Sequence, residues 1–282
     1  MQTDLAKQWA EEGFIFVPSL FNKNEIDKLL EICNRIREQA FILDPTINAP
    51  ANPNGHCFRH LNHPDYFKNN IEEYKIMMNT ICDERILSVV NTILNQKAMF
   101  RTTSYFFEPK DGIKDGNWHR DTQFGLTIES EERNKILECA QLPSTGVQMQ
   151  IALEPSEDVE FVPRSHKRWD TPEENNIRLA NNQANSCSNQ MPNAMRFHQK
   201  PGDMIAFDPN GLHRGRYHSD KIRRTLMLTY STNANFDYFT NQPWLLNEEN
   251  TKILPQKTQA FFQVFIDAFK DKWKPQDEPV SV

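Results

Sequence analysis

Apolar residues recur at helical spacing in the first third of the chain and at alternate positions in the middle, so the period of the pattern changes near residue 98. Ile26, Leu29, Leu30, Cys33 and Ile36 mark one face of a helix over 25–39, with Asn24 placed to cap it. Asn62, His63 and Pro64 suit a cap followed by an early-helix proline, leading into a helix over 65–78. Ile81, Ile86, Val89, Val90, Ile93 and Leu94 predict a further helix. Ahead of all these, the run Phe14, Ile15, Phe16, Val17 reads as a short strand stopped by Pro18.

From residue 98 the signal is one of strands. Residues 98–108 are rich in β-branched and aromatic side chains, and residues 146–154 set Val147, Met149, Ile151 and Leu153 against Gln148, Gln150 and Ala152. Short strands follow over 159–162, 195–198, 204–208 and 225–231, with Pro201, Gly202 and Asp203 as a turn. Many short strands without intervening helices predict a sandwich or barrel, a jelly roll among them. Beyond Ser231 the pattern is irregular until a closing helix over 258–273, where Phe261, Phe265 and Phe269 form a stripe. That stripe is expected to pack on the chain's own barrel or N-terminal helices, with a dimer contact as the alternative. The organisation expected is one domain: a mainly helical part over 1–97, a jelly-roll core over 98–231, and a C-terminal extension with a helix over 232–282.

Composition narrows the class. The chain has 282 residues and a formal net charge of −6, which argues against a nucleic-acid partner needing a basic face. No apolar run approaches the ~20 residues of a membrane span, and residues 1–13 are too charged for a signal peptide, so a cytoplasmic protein without membrane partners is expected. Five scattered cysteines without a C-x-x-C pair read as free thiols. Of 27 asparagines, seven fall between residues 175 and 193; this stretch reads as a long polar surface loop, either a lid over a binding site or a disordered segment.

The candidate chemistry is a His-x-Asp pair joined by a distant histidine. Two imidazoles and one carboxylate on one face of a metal leave positions open for further ligands, the arrangement of non-haem Fe(II) oxygenases. His-x-Asp occurs three times, and context must select among the three. No histidine follows His218 and Asp220, and His63 with Pro64 and Asp65 suits a helix start better than a strand. His119 and Asp121 follow a strand and a Pro/Gly/Asp loop, flanked by Trp118 and Phe124. For the third ligand, His166 reads as a surface residue in a basic loop, His198 as a sheet-face residue, and His218 as a turn residue. His213 comes just after the strand over 204–208, at what would be a barrel mouth. Arg224 then opens the last strand, where a guanidinium can trap a dicarboxylate.

Trp118, His119 and Asp121, the run Ala152, Leu153, Glu154 followed by Phe161 to His166, the turn Lys200 to Asp203, and then His213 and Arg224 together resemble the phytanoyl-CoA dioxygenase family. The opening from Glu12 to Pro18 and the helix after it are similar too, so the resemblance spans residues 8–231. It implies a double-stranded β-helix (jelly-roll, cupin-like) oxygenase dependent on Fe(II), 2-oxoglutarate and O2, acting on a small-molecule metabolite, plausibly in natural-product biosynthesis. It also implies that His119, Asp121 and His213 hold iron, that Arg224 binds the distal carboxylate of 2-oxoglutarate, and that Gln150 lies near that cosubstrate. Halogenating relatives have Ala or Gly in place of the carboxylate, so Asp121 implies hydroxylation, desaturation or demethylation. The family's Pro-Gly-Ser-His turn reads Pro163, Arg164, Ser165, His166 here, which would set a cation near the mouth and favour a negatively charged substrate. Two other readings remain at this level: a non-catalytic iron or 2-oxoglutarate sensor module, and a cupin-like metal hydrolase or isomerase. The assembly expected is a monomer or homodimer.

Overall fold

The computed structural model describes residues 2–49, 52, 55–113 and 115–274; residues 275–282 of the expected C-terminal extension lie outside them. In chain order the regular elements are α1 (Gln2–Glu12), β1 (Phe14–Val17), α2 (Lys23–Leu43), β2 (Cys57–Arg59), α3 (Ile71–Ile81), α4 (Glu84–Leu94) and β3 (Met99–Phe107). They continue with α5 (Glu129–Cys139), β4 (Gly146–Ala152), β5 (Ser156–Phe161), α6 (Pro172–Arg178), α7 (Ala180–Gln183), β6 (Met195–Gln199), β7 (Met204–Phe207), β8 (His213–Gly215), β9 (Arg224–Ser231), α8 (Glu248–Lys252) and α9 (Gln256–Phe269).

Local chemistry sets the ends of the helices. α2 starts two residues earlier than expected because Asn22, not Asn24, caps it: the Asn22 side chain accepts from the Glu25 amide while Glu25 reaches back to the Asn22 amide. The predicted helix over 65–78 is split. His63 caps only a 3-10 turn over Pro64–Phe67, its Nδ1 accepting from the Asp65 amide, and a new start at Asn70 begins α3. α1 lies in the part expected to be mainly helical and buries Trp9.

Among the described residues nine strands make two antiparallel sheets, ordered β1-β7-β4-β9-β3-β2 and β6-β5-β8. This is the jelly-roll arrangement, with β1 recruited from the helical part as the edge of the larger sheet. The outward face of that sheet carries Val147, Met149, Ile151, Leu226, Leu228 and Tyr230, which form one core with Ile26, Leu29, Ile36, Ile86 and Val90 of the helices. Burying each such aliphatic side chain stabilises the fold by about 1.5–3 kcal/mol, which is why the apolar half of each strand is so well defined. A smaller core of Phe14, Val159, Phe161, Phe197, Ile205 and Phe207 joins the two sheets.

The Pro201–Gly202 turn needs its glycine. Gly202 has φ +92, and a Cβ there would stand 2.4 Å from the Phe21 carbonyl oxygen. α9 packs on β3 through Phe262, Phe265 and Phe269, with the Phe262 and Phe265 rings 5.7 Å from Phe100. The stripe is therefore 262, 265, 269, with Phe261 only partly covered, and it faces the chain's own sheet.

The asparagine-rich segment holds regular structure in its first half rather than one long loop. It begins in α6, turns through left-handed Asn181 and Asn182, and is tied down along its length. Trp118 donates to the Ser186 and Ser188 carbonyls, and Arg214 to the Cys187 carbonyl and the Asn189 side chain. Met191 is buried with Trp118, Val162 and Leu212. Most of its side chains are exposed, which accounts for the polar composition and the missing apolar period.

Candidate metal centre

His119 and His213 face each other across an isolated antiparallel bridge, each amide donating to the other's carbonyl at 3.0 Å. Pairing at this point sets the imidazole centroids 4.2 Å apart. Asp121 begins a 3-10 turn directly after, and its amide donates to the Pro209 carbonyl at 2.9 Å. Asp121 Oδ1 then lies 3.7 Å from His119 Nε2 and 3.5 Å from His213 Nε2. One donor atom from each of these three residues falls within 4.8 Å of the others.

Hydrogen bonding fixes the ring tautomers. His119 Nδ1 sits 2.7 Å from the Asn117 carbonyl and His213 Nδ1 2.9 Å from the Gly211 carbonyl, so each Nδ1 carries the proton. Each Nε2 then presents a lone pair to the space between the rings, as a metal ligand must. Burial, with His119 adding to it, holds the His213 pKa well below the usual imidazole range, so this ring is neutral. Burial pushes the Asp121 carboxyl up, against the pull of His119 and Arg59. Two imidazole nitrogens and one carboxylate oxygen turned towards a shared space are the donor set that suits a divalent iron. The residues present fit iron.

The supports of the cluster were not read from the sequence. Gln148 of β4 donates from Nε2 to Asp121 Oδ2 at 2.6 Å, which leaves Oδ1 to face the two rings. The alternation of β4 carried the signal, since Gln148 and Gln150 share its polar face. Arg120, between two of the clustered residues, is fully buried: it donates to Asp170 Oδ1 at 2.7 Å and to the Ser165 carbonyl at 2.8 Å. Asp170 also accepts from buried Arg178 at 2.7 Å, and Arg178 in turn binds Glu132 at 3.0 Å. Nothing in the sequence announces this network.

The structure brings Gln150 to the barrel interior but does not bring Arg224 there. On β9, Arg224 shares its face with Leu226, Leu228 and Tyr230 and turns towards the helices, where it binds Glu108 and donates to Asn34 Oδ1 of α2 at 2.8 Å. Alternation gives the interior to Thr225, Met227 and Thr229, and to Arg223 just before the strand. Arg223 is 2% exposed, its Nη2 donates to Gln150 Oε1 at 3.3 Å, and its guanidinium lies 4.4 Å from the Tyr217 ring. A one-residue difference in register decides which of two adjacent arginines enters a barrel, and the sequence alone does not fix it.

Two other expectations change, those for Arg164 and His166. Arg164 is left-handed at φ +66, which accounts for glycine in the family's turn, and its exposed side chain binds Glu12 of α1 at 2.7 Å, so it puts no cation at the cluster. His166 is buried, not on the surface, and packs so closely on Gly13 that a Cβ there would stand 2.4 Å from its ring. His218 pairs with Asp115 at 3.0 Å, away from the cluster, while His198 is exposed beside Glu157.

Comparison with known proteins bears on the fold and the family. The nogalamycin-biosynthesis epimerase SnoN, a non-heme alpha ketoglutarate dependent enzyme, matches with a TM-score of 0.54 at 15% identity, over 82% of this chain and 80% of its own. EctD from S. alaskensis, solved with 2-oxoglutarate and 5-hydroxyectoine and also with bound Fe, matches with a TM-score of 0.56 at 16% identity in the former, over 82% of this chain and 76% of its own. AviO1 from Streptomyces viridochromogenes Tue57 matches with a TM-score of 0.57 at 14% identity, over 84% and 97%. At these identities the likeness is one of fold. No curated protein matches the sequence. Among the described residues no helix is long and apolar enough to cross a membrane. The family model of phytanoyl-CoA dioxygenase (PhyH) matches residues 9–225, and the chain belongs to that family.

Proposed function

We propose that this protein is an Fe(II)- and 2-oxoglutarate-dependent oxygenase that oxidises a C–H bond of a small-molecule metabolite, with hydroxylation or a related outcome. The observation that carries the reading is the convergence of two Nε2 lone pairs and Asp121 Oδ1, with both tautomers set by backbone carbonyls. His119, Asp121 and His213 would hold the metal. Bound there, iron supplies the oxidation in which 2-oxoglutarate and O2 become succinate and CO2 while the substrate C–H becomes C–OH.

The chain's own residues do the positioning. Arg223, oriented by Gln150, replaces Arg224 as the anchor for the distal carboxylate of 2-oxoglutarate, since it alone of the two shares the interior face. Gln148 holds Asp121 in place, and Phe207, with its ring 4.9 Å from His213, keeps water from that side of the centre. A carboxylate at 121 fills the position that a halide would need, which favours hydroxylation over halogenation. Natural-product biosynthesis fits SnoN among the structural neighbours.

A metabolite panel scored by substrate-dependent succinate formation tests the reading, with Asp121→Gly as control. Stimulated succinate with an oxygenated product in the wild type, lost in the variant, supports it; a chlorinated product from the wild type contradicts it.

A further inference from the structure

Residues directly opposed in an antiparallel ladder share a face of the sheet. Arg59 opposes Ser104, Ser104 opposes Met227, and Met227 opposes Gln150, so these four form one row across β2, β3, β9 and β4. The neighbouring row holds Thr102, Thr229 and Gln148, the residue that grips Asp121. Arg59 therefore stands on the barrel-interior face, one row from the support of the metal centre.

Its head group is held in place. Nη1 donates to Ser104 Oγ at 2.8 Å, and the guanidinium lies 4.9 Å from the Phe239 ring centroid. Among the described residues no carboxylate forms an ion pair with it. Arg101, which also acts on Asp121, is neutralised by Asp237. A half-buried guanidinium that is oriented and keeps donors free of any ion pair is ready for a carboxylate ligand to complete it. 2-Oxoglutarate does not fill that need, because Arg223 anchors it beside β9 and β4. β2 lies two strands from β9, about 10 Å at ~4.8 Å per strand. Close to the centre, Phe124 is 72% exposed with its ring 5.3 Å from that of His119, an apolar surface with nothing on it.

We propose that Arg59 is the specificity-determining residue of this enzyme, binding a carboxylate of the substrate, so that the substrate is a small organic acid whose apolar part lies on Phe124. This rests on the oxygenase reading above. The planar guanidinium fork matches a carboxylate bidentately, as a lysine would not.

The test uses the Fe(II)-loaded full chain and a panel of carboxylic acids, amino acids included, each beside its methyl ester. Succinate formed without any panel member checks the oxygenase reading separately. The inference predicts that acids stimulate succinate formation while their esters do not, and that Arg59→Gln lowers kcat/KM for the stimulating acid at least about 10-fold, with Arg59→Lys in between. Acids that stimulate no better than their esters overturn it, and this wild-type result needs no variant to fold. So does a 10-fold or greater weakening of 2-oxoglutarate binding in Arg59→Gln, followed by the absorbance of the metal–2-oxoglutarate chelate, because Arg59 would then belong to the cosubstrate.

Discussion

Gln148 donates to one oxygen of Asp121 at 2.6 Å and so turns the other oxygen towards both histidine rings. A ligand carboxylate that can rotate away holds a metal less well than one pinned by its neighbour. Gln148→Leu, which fits a strand position, should weaken Fe(II) binding about 10- to 100-fold while leaving the thermal unfolding midpoint within a few degrees. Equilibrium titration with Fe(II) under anaerobic conditions measures the first, and a thermal melt the second.

The two adjacent arginines should separate cleanly. A charge-assisted bond to a carboxylate contributes about 1.5–3 kcal/mol. Arg223→Ala should therefore raise the apparent constant for 2-oxoglutarate about 10- to 150-fold with Fe(II) binding retained. Arg224→Ala removes the partner of Glu108 and Asn34 and should cost about 1–3 kcal/mol of stability instead. Urea denaturation and 2-oxoglutarate dependence, measured on both variants, check the assignment; a cosubstrate effect confined to Arg224→Ala would reverse it.

Asp170 is the hinge of the buried network behind the metal loop. Arg120 and Arg178 are both fully buried and both bind it. Asp170→Ala leaves two guanidinium groups without that partner, and breaking a buried pair from one side costs about 3–5 kcal/mol. The variant should unfold at markedly lower urea concentration, and Fe(II) affinity should fall with it, since Arg120 separates His119 from Asp121 in the chain.

Acid should weaken the fold through His166. Burial, with Lys167 adding to it, lowers its pKa to about 4 from an ordinary value of 6.5. The unfolded chain takes up this proton first as pH falls, so stability is lost between roughly pH 6.5 and 4. His166→Gln should show a smaller drop in melting temperature between pH 7 and pH 5 than the wild type. An equal drop would place the acid sensitivity elsewhere.

What could be read from the sequence follows from which signals are local. Alternation in β4 and β9 announced the strands, and the His-x-Asp pair with His213 pointed to the three residues that the structure clusters, because period and spacing survive without coordinates. β2 is three residues long, too short to show a period, yet it carries Arg59. The faces of Arg223 and Arg224 depend on the register between β3, β4 and β9, which is a tertiary property. Arg120 and Asp170 are polar residues buried by mutual pairing, and hydropathy assigns such residues to the surface. The segment over 175–193 shows another limit: most of it is exposed, as its polar composition indicates, but the bonds from Trp118 and Arg214 to its backbone carbonyls are tertiary and leave no mark in the sequence.

If His119, Asp121 and His213 hold iron for 2-oxoglutarate oxidation, anaerobic Fe(II) titration separates the wild type from His119→Ala and His213→Ala, with His63→Ala as the control. One Fe(II) per chain should bind in the wild type and in His63→Ala, with loss of binding in the other two. On admission of O2 and 2-oxoglutarate, succinate should form only in the proteins that bind iron. Iron retained in His213→Ala, or lost in His63→Ala, would contradict the assignment of the site.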